Sequence, residues 1–92
     1  MINILFESEN NRSAAYDDKK EIGESTFSKS EGLWIIDHTF VEENYQGQGI
    51  ARKLVAELVV KARESSTKIL PLCPYAKREF DKTPEYSDVL KK

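Results

Sequence analysis

Hydrophobic and polar positions alternate along the first third of the chain, in short runs that polar turns separate. Side chains on one side of the first run are apolar, namely Ile2, Ile4 and Phe6, which is typical of a half-buried strand. Two more runs of this kind lie at residues 12–16 and 21–27. Gly32 ends the polar stretch that follows, and it is predicted to have a positive φ angle. The spacing predicts an antiparallel meander of hairpins.

Residues 33–41 (LWIIDHTFV) form the strongest predicted strand, because they are rich in β-branched and aromatic side chains. Strict alternation places four of them on one face, namely Trp34, Ile36, His38 and Phe40. The opposite face then carries Leu33, Ile35, Asp37, Thr39 and Val41. Both faces are largely apolar, which predicts an internal strand that is covered on both sides.

The hydrophobic period then lengthens from two residues to about 3.6, which predicts an amphipathic helix over residues 48–64. Its apolar stripe consists of Ile50, Leu54, Val55, Leu58, Val59 and Ala62. A short strand follows at residues 68–73 (KILPLC), where Pro71 interrupts the strand or places it at an edge because proline has no N–H. A helix at residues 75–82 and a last turn at residues 86–90 complete the predicted elements. The order predicts an α+β (α/β) fold, in which a β-meander precedes a β-α-β unit and short C-terminal helices.

The loop YQGQG (residues 45–49) joins the predicted central strand to the long helix. It presents the first amides of that helix beside the end of a strand, where their N–H groups and the helix dipole favour a phosphate. Gly47 and Gly49 would let an anion approach the backbone, but they would equally permit a tight turn without a ligand. The residues alone leave both interpretations open.

Two common phosphate-binding motifs are excluded by the residues after Gly49. A Walker P-loop needs Lys and then Ser or Thr, whereas Ile50 and Ala51 stand here. A dinucleotide fingerprint needs a small residue at the position of Arg52.

Length and charge narrow the classes of function. The 92 residues are predicted to form a single domain over residues 1–92. A formal net charge of −2, with acidic and basic residues interleaved, argues against a nucleic-acid partner. We expect no membrane partner and a cytoplasmic location, because the chain has no long apolar segment and its first residues do not resemble a signal peptide. One cysteine and one histidine allow no disulfide and predict no metal site.

The chain resembles a known family in the loop and in the segments around it. Gln46-x-x-Gly49-x-Ala51 matches the Gln/Arg-x-x-Gly-x-Gly/Ala signature of the GNAT superfamily of N-acetyltransferases, and it stands between a strand and a long helix as that signature does. The stretches HTFVEENYQGQGIARKLV and KILPLCPYAKREFDKTPEYSDVL resemble a compact, single-domain GNAT-like subfamily. The resemblance covers roughly residues 33–90 and implies a truncated GNAT fold.

The resemblance implies acetyl-CoA as co-substrate and a set of residues that hold it. The pyrophosphate would lie on the backbone amides of Gln48, Gly49, Ile50, Ala51 and Arg52, next to Gln46 and Gly47. The pantetheine arm would pair with the end of the central strand at Phe40 and Val41. Arg52 could add charge near the phosphates or could be ordinary solvated surface.

Three side chains are candidates for the chemistry of acetyl transfer. His38 could be a proton acceptor or a hydrogen-bonded core residue, and Cys73 could be reactive or simply a small buried residue. If their strands are neighbours, the two could approach each other and permit a covalent acetyl-cysteine. Tyr75 is a candidate proton donor to the leaving thiolate, with a packing role as its alternative.

The sequence also departs from full-length members of the superfamily, which have helices between their first strands. Residues 8–32 cannot contain such helices and also form the meander, so the part that would shape the acceptor groove is reduced. We therefore expect an N-acetyltransferase acting on an unidentified amine, with a polypeptide lysine or N-terminus suiting an open groove. The alternatives are a non-catalytic module that binds acetyl-CoA or CoA, and an interaction domain that binds no nucleotide.

Overall fold

The computed structural model describes residues 1–91 and contains a five-stranded mixed sheet and two α-helices. The strands are β1 (Ile2–Glu7), β2 (Arg12–Asp17), β3 (Lys20–Ser30), β4 (Leu33–Val41) and β5 (Lys68–Pro71). The helices are α1 (Ile50–Glu64) and α2 (Pro74–Lys82). The strands lie in sequence order in the sheet, with β1 to β4 antiparallel and β5 parallel to β4. The predicted α+β fold with a meander and a β-α-β unit is confirmed.

The observed element ends have local causes. Helix α1 begins at Ile50, later than predicted, because Gly49 has a φ of 78° and cannot belong to the helix. Strand β5 ends at Pro71 rather than at residue 73. Gly32 has the predicted positive φ, 65°. The predicted last turn is a 3-10 turn at Pro84–Tyr86, followed by a bridge between Leu90 and Ile69 that covers the outer edge of β5.

The core lies on one face of the sheet, between the strands and both helices. The six apolar residues predicted for the helix stripe are all buried. Three aromatic rings from β1, β3 and β4 stack beside the helix, with the Phe27 and Trp34 centroids 4.3 Å apart and Phe6 next to both. Helix α2 adds Ala76 and Phe80 to the same cluster.

A β-bulge in β4 divides the strand into two halves with opposite alternation. Thr26 of β3 pairs with His38 and Phe27 pairs with Ile36, which leaves Asp37 without a partner in the ladder. Before the bulge, Ile36 points to the helices and is buried. After it, Val41 points to the helices, while the side chain of His38 is 55% exposed. The prediction that His38 and Phe40 share a face with Trp34 and Ile36 is therefore wrong, because the extra residue shifts the alternation by one position.

The sheet face away from the helices is only partly covered. Leu33 and Ile35 on this face are half-buried, so the prediction that β4 is covered on both sides is wrong. Polar residues occupy much of the rest, with Arg12 bonded to three carboxylates, those of Glu7, Glu21 and Glu24. Hydrogen bonding to Glu21 is the largest cause that raises the pKa of Arg12. Between β1 and β2 the chain has a 3-10 turn at Ser8–Asn10, as expected for a chain that lacks the helices of longer members.

The bulge gives the first testable prediction. The Asp37 carboxylate accepts hydrogen bonds from the hydroxyls of Thr26 at 2.6 Å and Ser28 at 3.1 Å, which ties the unpaired residue to β3. We expect Asp37→Ala and Thr26→Val each to lower the free energy of unfolding by about 1 kcal/mol in urea titrations, since charge-assisted bonds at an exposed site contribute about that much. The double variant should lose less than the sum of the two. Strictly additive losses would show that the carboxylate and the hydroxyl do not act together.

Candidate cofactor site

Strands β4 and β5 separate at Ile36, and this separation creates the site. Their parallel pairing ends at Ile36 opposite Pro71. The Ile36 carbonyl then accepts two hydrogen bonds, from the amides of Leu72 and Cys73, each at 3.0 Å. Within residues 1–91, no strand pairs with residues 37–41 on the side of β5. The end of β4 therefore presents a free backbone edge to a gap.

The backbone direction along β4 decides which groups face this gap. The amide of Glu42 donates to the carbonyl of Ile22 in β3, at 2.8 Å. Because backbone groups alternate in direction along a strand, those of Phe40 also point to β3, and those of Thr39 and Val41 point into the gap. The backbone of Phe40, the predicted pantetheine contact, therefore faces β3, whereas the backbone of Thr39 faces the gap. Phe40 is 49% exposed, with its side chain on the other face of the sheet.

Gln46 fastens the loop to the end of β4. Its side-chain amide donates to the carbonyl of Val41 at 3.0 Å. This contact gives the signature glutamine a structural role that the sequence did not predict. Because the Val41 carbonyl is occupied, its backbone N–H is the group that can bind a ligand.

The N-terminus of α1 carries no capping side chain. Gly49 is its N-cap residue, and the first turn contains no acidic residue. The amide of Lys53 makes the first intrahelical bond, to the carbonyl of Gly49 at 3.2 Å, so the preceding amides have no helical acceptor. Gly47 and Gly49 have φ angles of 84° and 78°, and a Cβ on either would meet no protein atom within 4 Å. Both glycines are thus required by the turn, and both border open space.

A cleft of about 500 Å³ joins these features. Its walls come from the end of β4, the loop, the first turn of α1 and the start of α2. The lining residues are Thr39, Val41, Tyr45, Gln46, Gly47, Gly49, Ile50, Ala51, Arg52 and Tyr75. The structure therefore brings together most of the predicted cofactor residues and Tyr75, and it adds Thr39 and Tyr45. Phe40, Gln48, His38 and Cys73 do not line this cleft.

Cys73 and His38 lie on opposite sides of the sheet. Cys73 is 7% exposed and belongs to the core cluster that includes Trp34 and Ala76. His38 lies on the other face, where its Nε2 is 3.9 Å from a carboxylate oxygen of Glu24. The strands are neighbours as predicted, but the bulge turns the two side chains apart, so the expected approach of the two residues is wrong.

Tyr75 and Arg52 line the cleft from different helices, Tyr75 from α2 and Arg52 from α1. Burial, followed by the charge of Glu79, raises the pKa of Tyr75, so its phenol stays protonated at neutral pH. The Arg52 side chain is 66% exposed. The cleft thus contains a hydrogen-bond donor from α2 and a cation from α1.

Tyr45 is held in the cleft wall by a contact that the sequence did not predict. Its hydroxyl donates to Asp17 at 2.7 Å, and the same aspartate accepts a hydrogen bond from the Met1 amine at 3.1 Å. The Tyr45 bond is the largest cause that lowers the pKa of Asp17. The Lys20 ammonium lies 5.9 Å from the centre of the Tyr45 ring. The meander is therefore tied to the cofactor loop.

Comparison with known proteins identifies the family. A family model described as GCN5-related N-acetyl-transferase matches residues 12–89, and the chain belongs to this family. The solution structure of a GCN5-like protein from Staphylococcus aureus is similar at 32% identity, with a TM-score of 0.78 over 97% of this chain and 87% of that one. The predicted resemblance to the GNAT superfamily is confirmed. No curated protein matches the chain.

Longer members of the superfamily share the fold. YhbS from Escherichia coli, solved in complex with CoA, is 27% identical, with a TM-score of 0.63 over 72% of this chain. The chain spans 43% of YhbS. The ribosomal-protein-S18-alanine N-acetyltransferase from Escherichia coli is 13% identical and matches 76% of this chain with a TM-score of 0.66, which shows likeness of fold alone.

Residues 1–91 contain neither a membrane-spanning helix nor a metal-binding cluster. No helix in this range combines the length and apolar character needed to cross a bilayer. No cluster of three or more His, Cys, Asp or Glu side chains in the same range could hold a metal ion.

The contact between Tyr45 and Asp17 gives the second prediction. In Tyr45→Phe, we expect the pKa of Asp17 to rise toward its ordinary value of 3.8, as measured by NMR titration of the carboxyl carbon. Because the folded-state pKa is lowered, the stabilisation is present above the unfolded value and is lost as the pH falls through the folded one. Wild type and variant should thus differ in stability near neutral pH and converge in strong acid. Tyr16→Phe, which removes a hydroxyl bonded to Glu7, is the matched control and should leave Asp17 unchanged.

Proposed function

We propose that this protein is a GNAT-type N-acetyltransferase that binds acetyl-CoA and transfers its acetyl group to an amine. The observation that carries the proposal is the uncapped N-terminus of α1 at the end of the gap between β4 and β5. Its free amides and the helix dipole suit a pyrophosphate, and the glycines leave space for the phosphate oxygens. YhbS, which shares 27% identity, is known in complex with CoA, which supports the same ligand here.

Different residues of the cleft would bind different parts of acetyl-CoA. The amides of Gln48 to Arg52 would receive the pyrophosphate, with Gly47 and Gly49 shaping the turn. The gap-facing groups of Thr39 and Val41 would pair with the amides of the pantetheine arm, in the place that a sixth strand would take. This arrangement leads the thioester along β4 toward Ile36, where the strands part.

Acetyl transfer requires an amine nitrogen to attack the thioester carbonyl, with the carbon–sulfur bond breaking and the thiolate leaving. The phenol of Tyr75 suits hydrogen bonding to the charge that develops on the sulfur. Since its pKa is raised above 10.0 and a thiol ionises near about 8.5, it stabilises that charge better than it gives up its proton.

The amine must lose a proton, and His38 is the residue we assign to that role. The bulge exposes its ring on the face of the sheet that has no helix, beside the start of the gap. An acceptor that comes from this face would meet His38, while acetyl-CoA enters from the helix side. A polypeptide lysine or N-terminus suits such an open approach. We assign direct transfer, with Cys73 as a residue of the core, because a thiol that is 7% exposed among apolar side chains is a poor nucleophile.

One observation favours a second candidate function, a module that binds acetyl-CoA without turnover. Within residues 1–91, neither the only histidine nor the only cysteine lines the cleft. A protein of this kind would bind acetyl-CoA and release no CoA in the presence of amines.

Binding is tested by calorimetry with acetyl-CoA. We expect Gly49→Ala to lose stability by about 1 kcal/mol, because a Cβ at positive φ is strained, and to bind roughly tenfold more weakly. Gly32→Ala is the matched control, since its φ of 65° imposes similar strain far from the cleft. It should lose similar stability and keep full affinity. Equal affinity in the two variants would contradict the phosphate site, and no binding by the wild type at millimolar ligand would reject the function.

Transfer is tested by thiol release with a panel of amines that includes lysine peptides and peptide N-termini. We expect His38→Gln to lower kcat/KM on the order of 10²-fold, the contribution of a general base, and to leave the dissociation constant of acetyl-CoA unchanged. Full activity in His38→Gln would remove His38 as the base. Mass spectrometry of the wild type after incubation should show no acetyl group on Cys73, and its presence there would replace direct transfer with a covalent relay. Binding without CoA release for any amine would favour the non-catalytic module.

A further inference from the structure

Glu79 is a buried charge that the proposed reaction does not use. Its side chain is 2% exposed, and it is the one charged residue in the buried class among residues 1–91. Burying a carboxylate costs free energy unless cations or donors surround it. An apolar side chain beside Ala76 and Phe80 would avoid that cost. The carboxylate at this position therefore needs an explanation beyond packing.

Two cations from different helices approach Glu79. Lys82 lies one turn later on α2, and its Nζ is 3.0 Å from Oε2. Arg52 comes from the first turn of α1, and its Nε is 3.7 Å from Oε1. Lys82 alone would neutralise the charge of Glu79. The contact with Arg52 is not needed for that purpose and has a different consequence. It joins the start of the cofactor helix to α2.

The contact between Arg52 and Glu79 leaves the two Nη groups of the guanidinium, its fork, open. The closest approach to Glu79 is through Nε, near the base of the guanidinium. Within the described part of the chain, its Nη groups donate no hydrogen bond to another residue, and Arg52 lines the cleft. The contact is an ion pair at 3.7 Å, so it draws Nε toward Glu79 and leaves both Nη groups for paired hydrogen bonds to a phosphate.

Glu79 also lies beside Tyr75, the hydrogen-bond donor that lines the cleft. Tyr75 precedes Glu79 by one helical turn, so both side chains lie on the same side of α2. After burial, the charge of Glu79 is the next cause that raises the pKa of Tyr75. One carboxylate thus lies close to a cleft residue from each helix.

We propose that Glu79 is a positioning residue, which orients Arg52 toward the phosphates of the cofactor and holds α2 with Tyr75 against the first turn of α1. This proposal rests on the proposed binding of acetyl-CoA. In this proposal, Arg52 contributes to binding through the orientation of its guanidinium as well as through its positive charge.

The sign of the effect on affinity separates positioning from simple electrostatics. Glu79 is negative and lies close to the site of a polyanion, so charge alone predicts that Glu79→Gln binds CoA more tightly. Positioning predicts the opposite, because a free Arg52 loses conformational entropy when it binds the phosphate. A purely structural role predicts lower stability with no specific dependence on Arg52.

The experiment is a double-mutant cycle measured by calorimetry with CoA. We expect Glu79→Gln and Arg52→Gln each to weaken binding roughly three- to tenfold, and Glu79→Gln to add nothing in the Arg52→Gln background. Asp81→Asn, which removes an exposed carboxylate from the same helix, is the matched control and should not weaken binding. Melting temperatures without ligand show whether each variant is folded.

Arg52→Lys tests the proposal independently of the buried site. Its position is exposed, so the variant keeps the fold and the charge but lacks the fork. We expect it to bind as weakly as Arg52→Gln, and wild-type affinity would overturn the proposal. Equal or tighter binding by folded Glu79→Gln, or additive losses in the cycle, would overturn it while acetyl-CoA binding stands. Failure of the wild type to bind CoA would instead reject the proposed function.

Discussion

The parting of β4 from β5 at Ile36 is the constraint on which the rest of the structure depends. Pro71 faces Ile36 at the last paired position, and it has no N–H to continue the ladder. The next two amides, those of Leu72 and Cys73, both turn to the carbonyl of Ile36. The chain is thereby directed away from β4 and enters α2 at Pro74, a residue that suits the first turn of a helix. A gap, a free strand edge and the placement of α2 all follow from this one junction.

The bulge at Asp37 gives this gap two different sides. It lies one residue beyond the junction, so β4 changes its alternation just where it loses its partner. On the helix side, Val41 continues the core and supports the loop through Gln46. On the other side, His38 and Phe40 are exposed next to the carboxylates around Arg12. In the proposed reaction, the two ligands would approach β4 from opposite faces of the sheet.

The sequence predicted the helices and strands better than it predicted which face of the sheet each side chain occupies. The stripe of α1 and the loop glycines were predictable because helical periodicity and positive φ have strong local signals. The bulge was not predictable, because alternation in LWIIDHTFV fits an uninterrupted strand equally well. The polar pair Asp37–His38 inside an apolar strand was the available signal, and Thr26 and Ser28 opposite Asp37 complete it only in three dimensions. Glu79 was missed for a similar reason, since a helical glutamate shows its burial only after α2 packs against α1.

The proposed cofactor site would let an acidic chain hold an anion. With a net charge of −2, long-range attraction does not favour CoA, so affinity must come from groups within contact distance. Backbone amides at the start of α1 have fixed directions and no neighbouring carboxylate in the first turn to oppose them. Arg52 adds one cation, and the carboxylate that pairs with it is placed behind it, in the core, rather than in the cleft. Because the buried carboxylate meets the guanidinium at Nε, in the proposed arrangement it would restrain the cation and leave the Nη groups for a phosphate.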